Sequence, residues 1–160
     1  MTEAGGDINF RILVVCTGNT HRSPFAEAIL RLRLLESDLT DIAVASAGIS
    51  AFEGDPVPVD AVVAASEWGA DLSGHLAQQL DAEMVQVADL ILAMDRYQLT
   101  ALLTAFPAAR EKFYPMAAFD PDGDGSDIED PADKDGEGLR SVYGRIALCA
   151  AEVAKYYAEP

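Results

Sequence analysis

Apolar residues in this chain fall into two alternating rhythms. Short, continuous apolar runs such as Ile12-Leu13-Val14-Val15 and Leu90-Ile91-Leu92-Ala93 are separated by longer stretches in which apolar positions return every three or four residues. A continuous run, rich in β-branched residues, is the pattern of a strand buried on both faces, and the longer period is that of a helix buried on one side. Strands are predicted at Ile12 to Cys16, at 41–47, at 89–94 and at 112–119, where Pro115 marks an edge or a bend. Helices are predicted at 23–37, with Phe25, Ala28, Ile29, Leu32 and Leu35 on one face, at 59–68 with Gly69 as its stop, and at 81–88. Asp95-Arg96-Tyr97-Gln98 opens another helix, running to about Ala105. A last one begins near Leu139 and carries Leu139, Val142, Tyr143, Ile146, Cys149 and Val153 on one face. Residues 1–7 are mostly polar and read as a loose terminus. The order βαβαβαβα with short connections predicts an α/β fold, a single domain with a four-stranded parallel sheet and helices on both faces. In such a fold the site lies at the carboxyl ends of the strands.

The end of the first strand carries the densest chemistry. Cys16-Thr17-Gly18-Asn19-Thr20-His21-Arg22-Ser23-Pro24 joins the strand to the first helix, with Gly18 and Asn19 suited to left-handed backbone angles, Ser23 placed as an N-cap and Pro24 at the first helical position. Amides of such a loop converge on one point, and the helix dipole adds positive potential there, so the segment is built to hold a tetrahedral oxyanion. Arg22 brings a planar fork of donors that grips two phosphate oxygens at once. Cys16 stands in the same field, which favours a thiolate nucleophile aimed at a bound phosphorus. The competing reading, a buried structural cysteine beside a surface arginine, is weakened by the strand before the loop and the Ser-Pro helix start after it.

Composition narrows the setting. A length of 160 residues suits one domain with a full core, and a net charge of −16 argues against a nucleic acid or an anionic membrane as partner. Of the 2 cysteines, Cys149 lies in the apolar pattern of the last helix and reads as a small buried hydrophobe. Neither a signal peptide nor a membrane-length apolar run is visible, which predicts a soluble, cytoplasmic protein. His75 reads as a hydrogen-bonded structural group. Asp120-Pro121-Asp122-Gly123-Asp124-Gly125 matches the opening of a calcium loop, but Asp127 stands where an aliphatic belongs and Pro131 where a bidentate glutamate is needed. The segment is therefore read as a solvated acidic loop, with no metal.

The Cys-x5-Arg-Ser-Pro pattern after the first strand, with its Thr17-Gly18-Asn19-Thr20 interior, resembles the phosphate loop of the low-molecular-weight protein tyrosine phosphatases. The resemblance implies their Rossmann-like, three-layer fold. It implies a cysteine-dependent phosphatase acting on phosphorylated proteins or peptides, phosphotyrosine first and phosphoarginine second, through a phosphocysteine intermediate and without metal or cofactor. On this reading Cys16 attacks phosphorus, while Arg22 and the loop residues Thr17, Gly18, Asn19, Thr20 and His21 bind the phosphate. Ser23 eases departure of the sulfur, Ser46 braces Asn19, and Phe52 forms one wall of the substrate slot. Asp130, in an Asp-Pro dipeptide shortly before the last helix, matches the family's general acid and later base; Asp120-Pro121 is the competing dipeptide, farther from that helix.

The chain departs from the family pattern in three places. Ala132 to Gly138 replaces the aromatic residues that often follow the Asp-Pro, Thr20 is shared with related protein arginine phosphatases, and His21 stands where the family usually has a second cysteine. As an imidazolium, His21 would further favour the Cys16 thiolate. Two other functions fit the loop: a catalytically idle phosphate-binding module, and an arsenate reductase, for which Cys149 is the one resolving cysteine on offer.

Overall fold

The computed structural model describes residues 7–159, so all but the last residue of the predicted loose terminus lies outside it. Strand β1 (Phe10–Cys16) is followed by helix α1 (Arg22–Glu36), β2 (Ile42–Gly48), α2 (Val59–Ser66), α3 (Ala82–Val87), β3 (Leu90–Ala93), α4 (Arg96–Ala105), β4 (Phe113–Pro115) and α5 (Gly136–Ala158). The four strands form one parallel sheet in the order β2-β1-β3-β4. β1 lies inside the sheet, paired with β2 from Phe10↔Ile42 to Cys16↔Gly48 and with β3 from Ile12↔Leu90 to Val15↔Ala93.

The alternation of side chains along β1 sorts the core into two layers. Ile12, Val14 and Cys16 point to the face covered by α1, α2 and α5, and Leu13 and Val15 to the face covered by α3 and α4. A strand buried on both faces explains the uninterrupted apolar run, and it delivers Cys16 to the carboxyl edge of the sheet on the α1 side.

Several element boundaries differ from the sequence expectation, each for a local reason. Helix α1 begins at Arg22 with His21 as its N-cap, so Ser23 lies inside the first turn and caps nothing; its hydroxyl is turned to Cys16 instead. Leu35 is 63% exposed, while Ala26, Leu30 and Leu34 are buried. Helix α1 packs against both the sheet and α5, so its buried stripe is wider than the single row read from spacing, and Leu35 falls beyond its edge. Strand β4 is only Phe113–Pro115 and passes into a 3₁₀ turn, Met116–Phe119; Pro115 lacks an N–H and ends the ladder at the sheet's edge. Helix α2 ends at Ser66, and Gly69 takes φ 79° as Ala70 N–H closes on the Ala65 carbonyl. Helix α5 starts at Gly136, capped by the Asp135 side chain on Gly138 N–H; two glycines in the first turn hide this start from a propensity reading.

Candidate active site

The loop from Cys16 to Arg22 turns on one left-handed residue. Asn19 has φ 57°, whereas Gly18 is not left-handed and a Cβ there would meet only Thr20 Oγ1 at 3.6 Å, so the turn uses one of the two residues marked for it. The Asn19 side chain is fully buried and saturated. Its Nδ2 donates to Ser23 Oγ (2.8 Å) and Ser46 Oγ (3.0 Å), and its Oδ1 accepts from Gln78 N–H (2.9 Å). The Ser46 hydroxyl in turn donates a hydrogen bond to Glu27 Oε1 at 2.6 Å, and Glu27 is paired with Arg31. His75 Nε2 lies 3.1 Å from the Asn19 carbonyl, a structural hydrogen bond of the kind expected for it. Every direction in which this amide could turn is met by a partner, so the left-handed conformation is held from outside the loop.

Because Ser23 Oγ accepts from Asn19, its own proton is free for the sulfur 2.9 Å away; Asn19 N–H donates to the same sulfur at 3.3 Å. The 3% exposed Cys16 thus sits between two donors suited to a thiolate. Among the described residues, no carbonyl or side chain accepts from the N–H groups of Gly18, Thr20 and His21.

Gly48 makes the close packing of this loop possible. A Cβ on it would stand 2.6 Å from the Thr17 carbonyl oxygen and 3.1 Å from Asn19 N, both backbone atoms of the loop. Gly48→Ala is expected to cost about 1–3 kcal/mol of stability by overpacking and to weaken vanadate binding as well. Paired chemical denaturation and vanadate inhibition curves check it; an unchanged inhibition constant would show that the loop tolerates the shift.

Arg22 is buried and doubly engaged. One Nη1 donates to Asp95 Oδ2 (2.9 Å) and to the Ile128 carbonyl (2.8 Å), and Nη2 faces Asp130 Oδ2 at 4.0 Å. Asp95 caps α4 with its other oxygen, and the capping-box partner Gln98, fully buried, donates from Nε2 to Thr17 Oγ1 at 3.1 Å. A cavity of about 230 Å³ lies over the loop, lined by Cys16, Thr17, Gly18, Thr20, His21 and Arg22, and closed by Asp130 and Ala132. The Asp130 side chain is 60% exposed at its mouth, and its Oδ1 accepts from Ala132 N–H. Asp120, the competing carboxylate, lines no part of this cavity; its buried side chain is paired with Arg145 at 2.8 Å, which holds it below the usual carboxylate range.

Of the sequence candidates, Phe52 stands apart. It is 78% exposed in the loop after β2 and does not line the cavity. His21 does line it, but burial is the largest influence on its imidazole and lowers its pKa, outweighing the opposite pull of Asp130 and Asp60. Burial therefore favours the neutral ring, against the imidazolium that the sequence suggested. Sequence reasoning missed Asp95, Gln98, Gln78, Glu27 and Tyr143 as parts of the site. The Asp95-x-x-Gln98 capping box was the one local signal among them.

Tyr143 seats the loop from the other side. Its ring stacks on Phe25 with centroids 4.0 Å apart, and its hydroxyl donates to the His21 carbonyl at 2.8 Å. Tyr143→Phe leaves that carbonyl unmet and is expected to cost about 1–3 kcal/mol. Thermal denaturation checks it: a variant as stable as the wild type would mean that water replaces the hydroxyl.

The sequence model of the family described as "Low molecular weight phosphotyrosine protein phosphatase" matches residues 11–157. The chain belongs to this family. It is therefore a phosphoric monoester hydrolase, a cysteine-based phosphoprotein phosphatase. The phosphatase is 35% identical over 144 residues to the low molecular weight protein-tyrosine-phosphatase Etp of Escherichia coli (strain K12), an alignment covering 90% of this chain and 92% of Etp. Its fold is similar to that of the YwlE arginine phosphatase from Geobacillus stearothermophilus, with a TM-score of 0.83, 32% identity and 93% of each chain covered. It is also similar to a YwlE arginine phosphatase mutant that carries a phosphorylated active-site serine, with a TM-score of 0.84, 27% identity, and 92% of this chain and 95% of that one covered. Among its described residues, no helix is long and apolar enough to cross a membrane.

Proposed function

We propose that this phosphatase hydrolyses phosphotyrosine in cytoplasmic proteins through a phosphocysteine intermediate. The observation that carries the reading is the convergence of Cys16, Arg22 and Asp130 on one small cavity at the end of β1. The phosphate dianion binds to the loop amides and to the Arg22 fork, whose orientation Asp95 and the Ile128 carbonyl hold. The Cys16 thiolate forms a sulfur–phosphorus bond as the ester P–O bond breaks, and Asp130 gives its proton to the departing oxygen. Asp130, now ionised, takes a proton from water as that water attacks the phosphocysteine. Phosphate leaves, and the thiolate returns to the donors Ser23 and Asn19. Phosphorylation of the active-site serine in the YwlE mutant supports a covalent intermediate at the equivalent position.

Phosphoarginine is the second reading. It is favoured by Thr20 in the cavity wall, by the lack of aromatic residues after Pro131, and by the arginine phosphatases among the relatives. An exposed Phe52 is available as a wall for a larger substrate once one binds, and this role belongs to the phosphotyrosine reading. The test is a matched panel of phosphotyrosyl and phosphoarginyl peptides, with a chromogenic aryl phosphate assayed with and without thiols. A higher kcat/KM on phosphotyrosyl peptides supports the proposal, and the reverse order replaces it with the second reading. Absence of turnover on every substrate would leave a phosphate-binding module, and thiol-dependent arsenate reduction would move the protein to a redox function.

A further inference from the structure

The segment that carries Asp130 has almost no core of its own. From Pro121 to Pro131, Ile128 and Pro131 are the buried residues, one on each side of the acid. The Ile128 N–H donates to the Met94 carbonyl at 2.9 Å, and its carbonyl accepts from Arg22 at 2.8 Å. The run that leads into this anchor, Ser126 and Asp127, buries no side chain. It is held instead by Arg145 on α5. Its guanidinium donates from Nη2 to the Ser126 carbonyl (2.7 Å), from Nη1 to the Asp127 carbonyl (2.8 Å) and from Nε to Asp120 Oδ2 (2.8 Å). Arg145 and Arg22 between them hold three successive carbonyls, those of Ser126, Asp127 and Ile128. The planar fork makes this possible; an ammonium offers no such fixed set of donors.

Helix α5 therefore fastens both halves of the site. Tyr143 holds the nucleophile's loop at the His21 carbonyl, and Arg145 holds the acid's segment. Arg145 lines no part of the cavity over Cys16. We propose that Arg145 is a positioning residue for proton transfer, setting the approach of Asp130 to the leaving oxygen through the carbonyls of Ser126 and Asp127. This inference rests on the reading of Asp130 as general acid. A misplaced acid leaves phosphate binding and attack intact but fails the substrates that need its proton.

The test compares kcat/KM for an activated aryl phosphate with that for phenyl phosphate, in Arg145→Gln, Arg145→Lys, Asp130→Asn and the Arg145→Gln/Asp130→Asn double variant. Arg145→Gln is expected to raise the ratio of the two by roughly tenfold, with Arg145→Lys raising it less. The double variant should show no larger ratio than Asp130→Asn alone. Orthovanadate inhibition within roughly threefold of wild type is expected for the single Arg145 variants and reports an intact loop. If Asp130→Asn discriminates between the substrates but both Arg145 variants lose activity equally on both or on neither, the proposal is overturned while the acid assignment stands. Full additivity in the double variant overturns it as well. If Asp130→Asn itself fails to discriminate, the acid assignment falls and the positioning role with it.

Discussion

Cys16→Ser is expected to abolish turnover, by roughly 10⁴-fold or more, while inorganic phosphate and vanadate still bind measurably. The two effects separate because different atoms carry them. Binding rests on the loop amides and on Arg22, whose geometry is set by Asp95 and the Ile128 carbonyl rather than by the sulfur. Turnover rests on the sulfur itself. A serine in the same place has neighbours, Ser23 and the Asn19 N–H, that donate rather than take up its proton, so attack is slow. Any phosphoserine formed, as in the YwlE mutant, must expel an alkoxide, a far poorer leaving group than a thiolate. Steady-state assay of an aryl phosphate together with calorimetric titration of phosphate checks both halves. More than a few per cent of wild-type rate would remove Cys16 as the nucleophile, and loss of binding would show that the sulfur helps to shape the cradle.

Asp130→Asn is expected to slow cleavage of esters with poor leaving groups by about 10²–10⁴-fold and activated esters far less. Removing the proton donor matters in proportion to the basicity of the departing oxygen. Asp120→Asn supplies the contrast. Its amide oxygen still accepts from Arg145, so leaving-group dependence should be unchanged, while stability should fall. Because Arg145 lowers the Asp120 pKa in the folded state, this pair stabilises the protein above the carboxylate's unfolded pKa, and that contribution is lost as pH falls through the folded value. A plot of log kcat/KM against leaving-group pKa, with urea denaturation at neutral and acid pH, separates the two variants. Exchanged behaviour would place the acid at Asp120.

The parts of this site that were legible in the sequence are those that one continuous segment provides. Cys16 to Pro24 announces a strand end, a turn and a helix start within itself, and Asp130-Pro131 stands out by position before the last helix. Apart from Ser46 against Asn19, which the family resemblance supplied, the parts that were not legible are long-range partners. Gln98 reaches Thr17 and Asp95 reaches Arg22 across the sheet, and neither is distinguishable in sequence from an ordinary helix cap that spends its side chain locally. The N-cap placement of Ser23 slipped within the Cys16 to Pro24 segment itself: its hydroxyl has two uses, the cap that propensity rewards and the Cys16 sulfur that the family resemblance implied, and at 2.9 Å the sulfur takes it. The alternation that placed strands and helices was read correctly wherever burial is on both faces, and it slipped at Leu35 and β4, where an element runs out past the edge of its neighbours.

The aromatic stack behind the loop gives this protein a built-in optical reporter. Trp68 is the chain's 1 tryptophan, and it packs edge-on against Phe25 at 5.5 Å and against Tyr143 at 6.4 Å, the residue whose hydroxyl holds His21. Its emission senses the polarity around the seam between α1, α2 and α5, one bond-chain removed from the floor of the cavity. Intrinsic fluorescence excited at the indole band therefore follows the seating of the loop without any added label, and a stopped-flow trace on mixing with vanadate would time that seating directly.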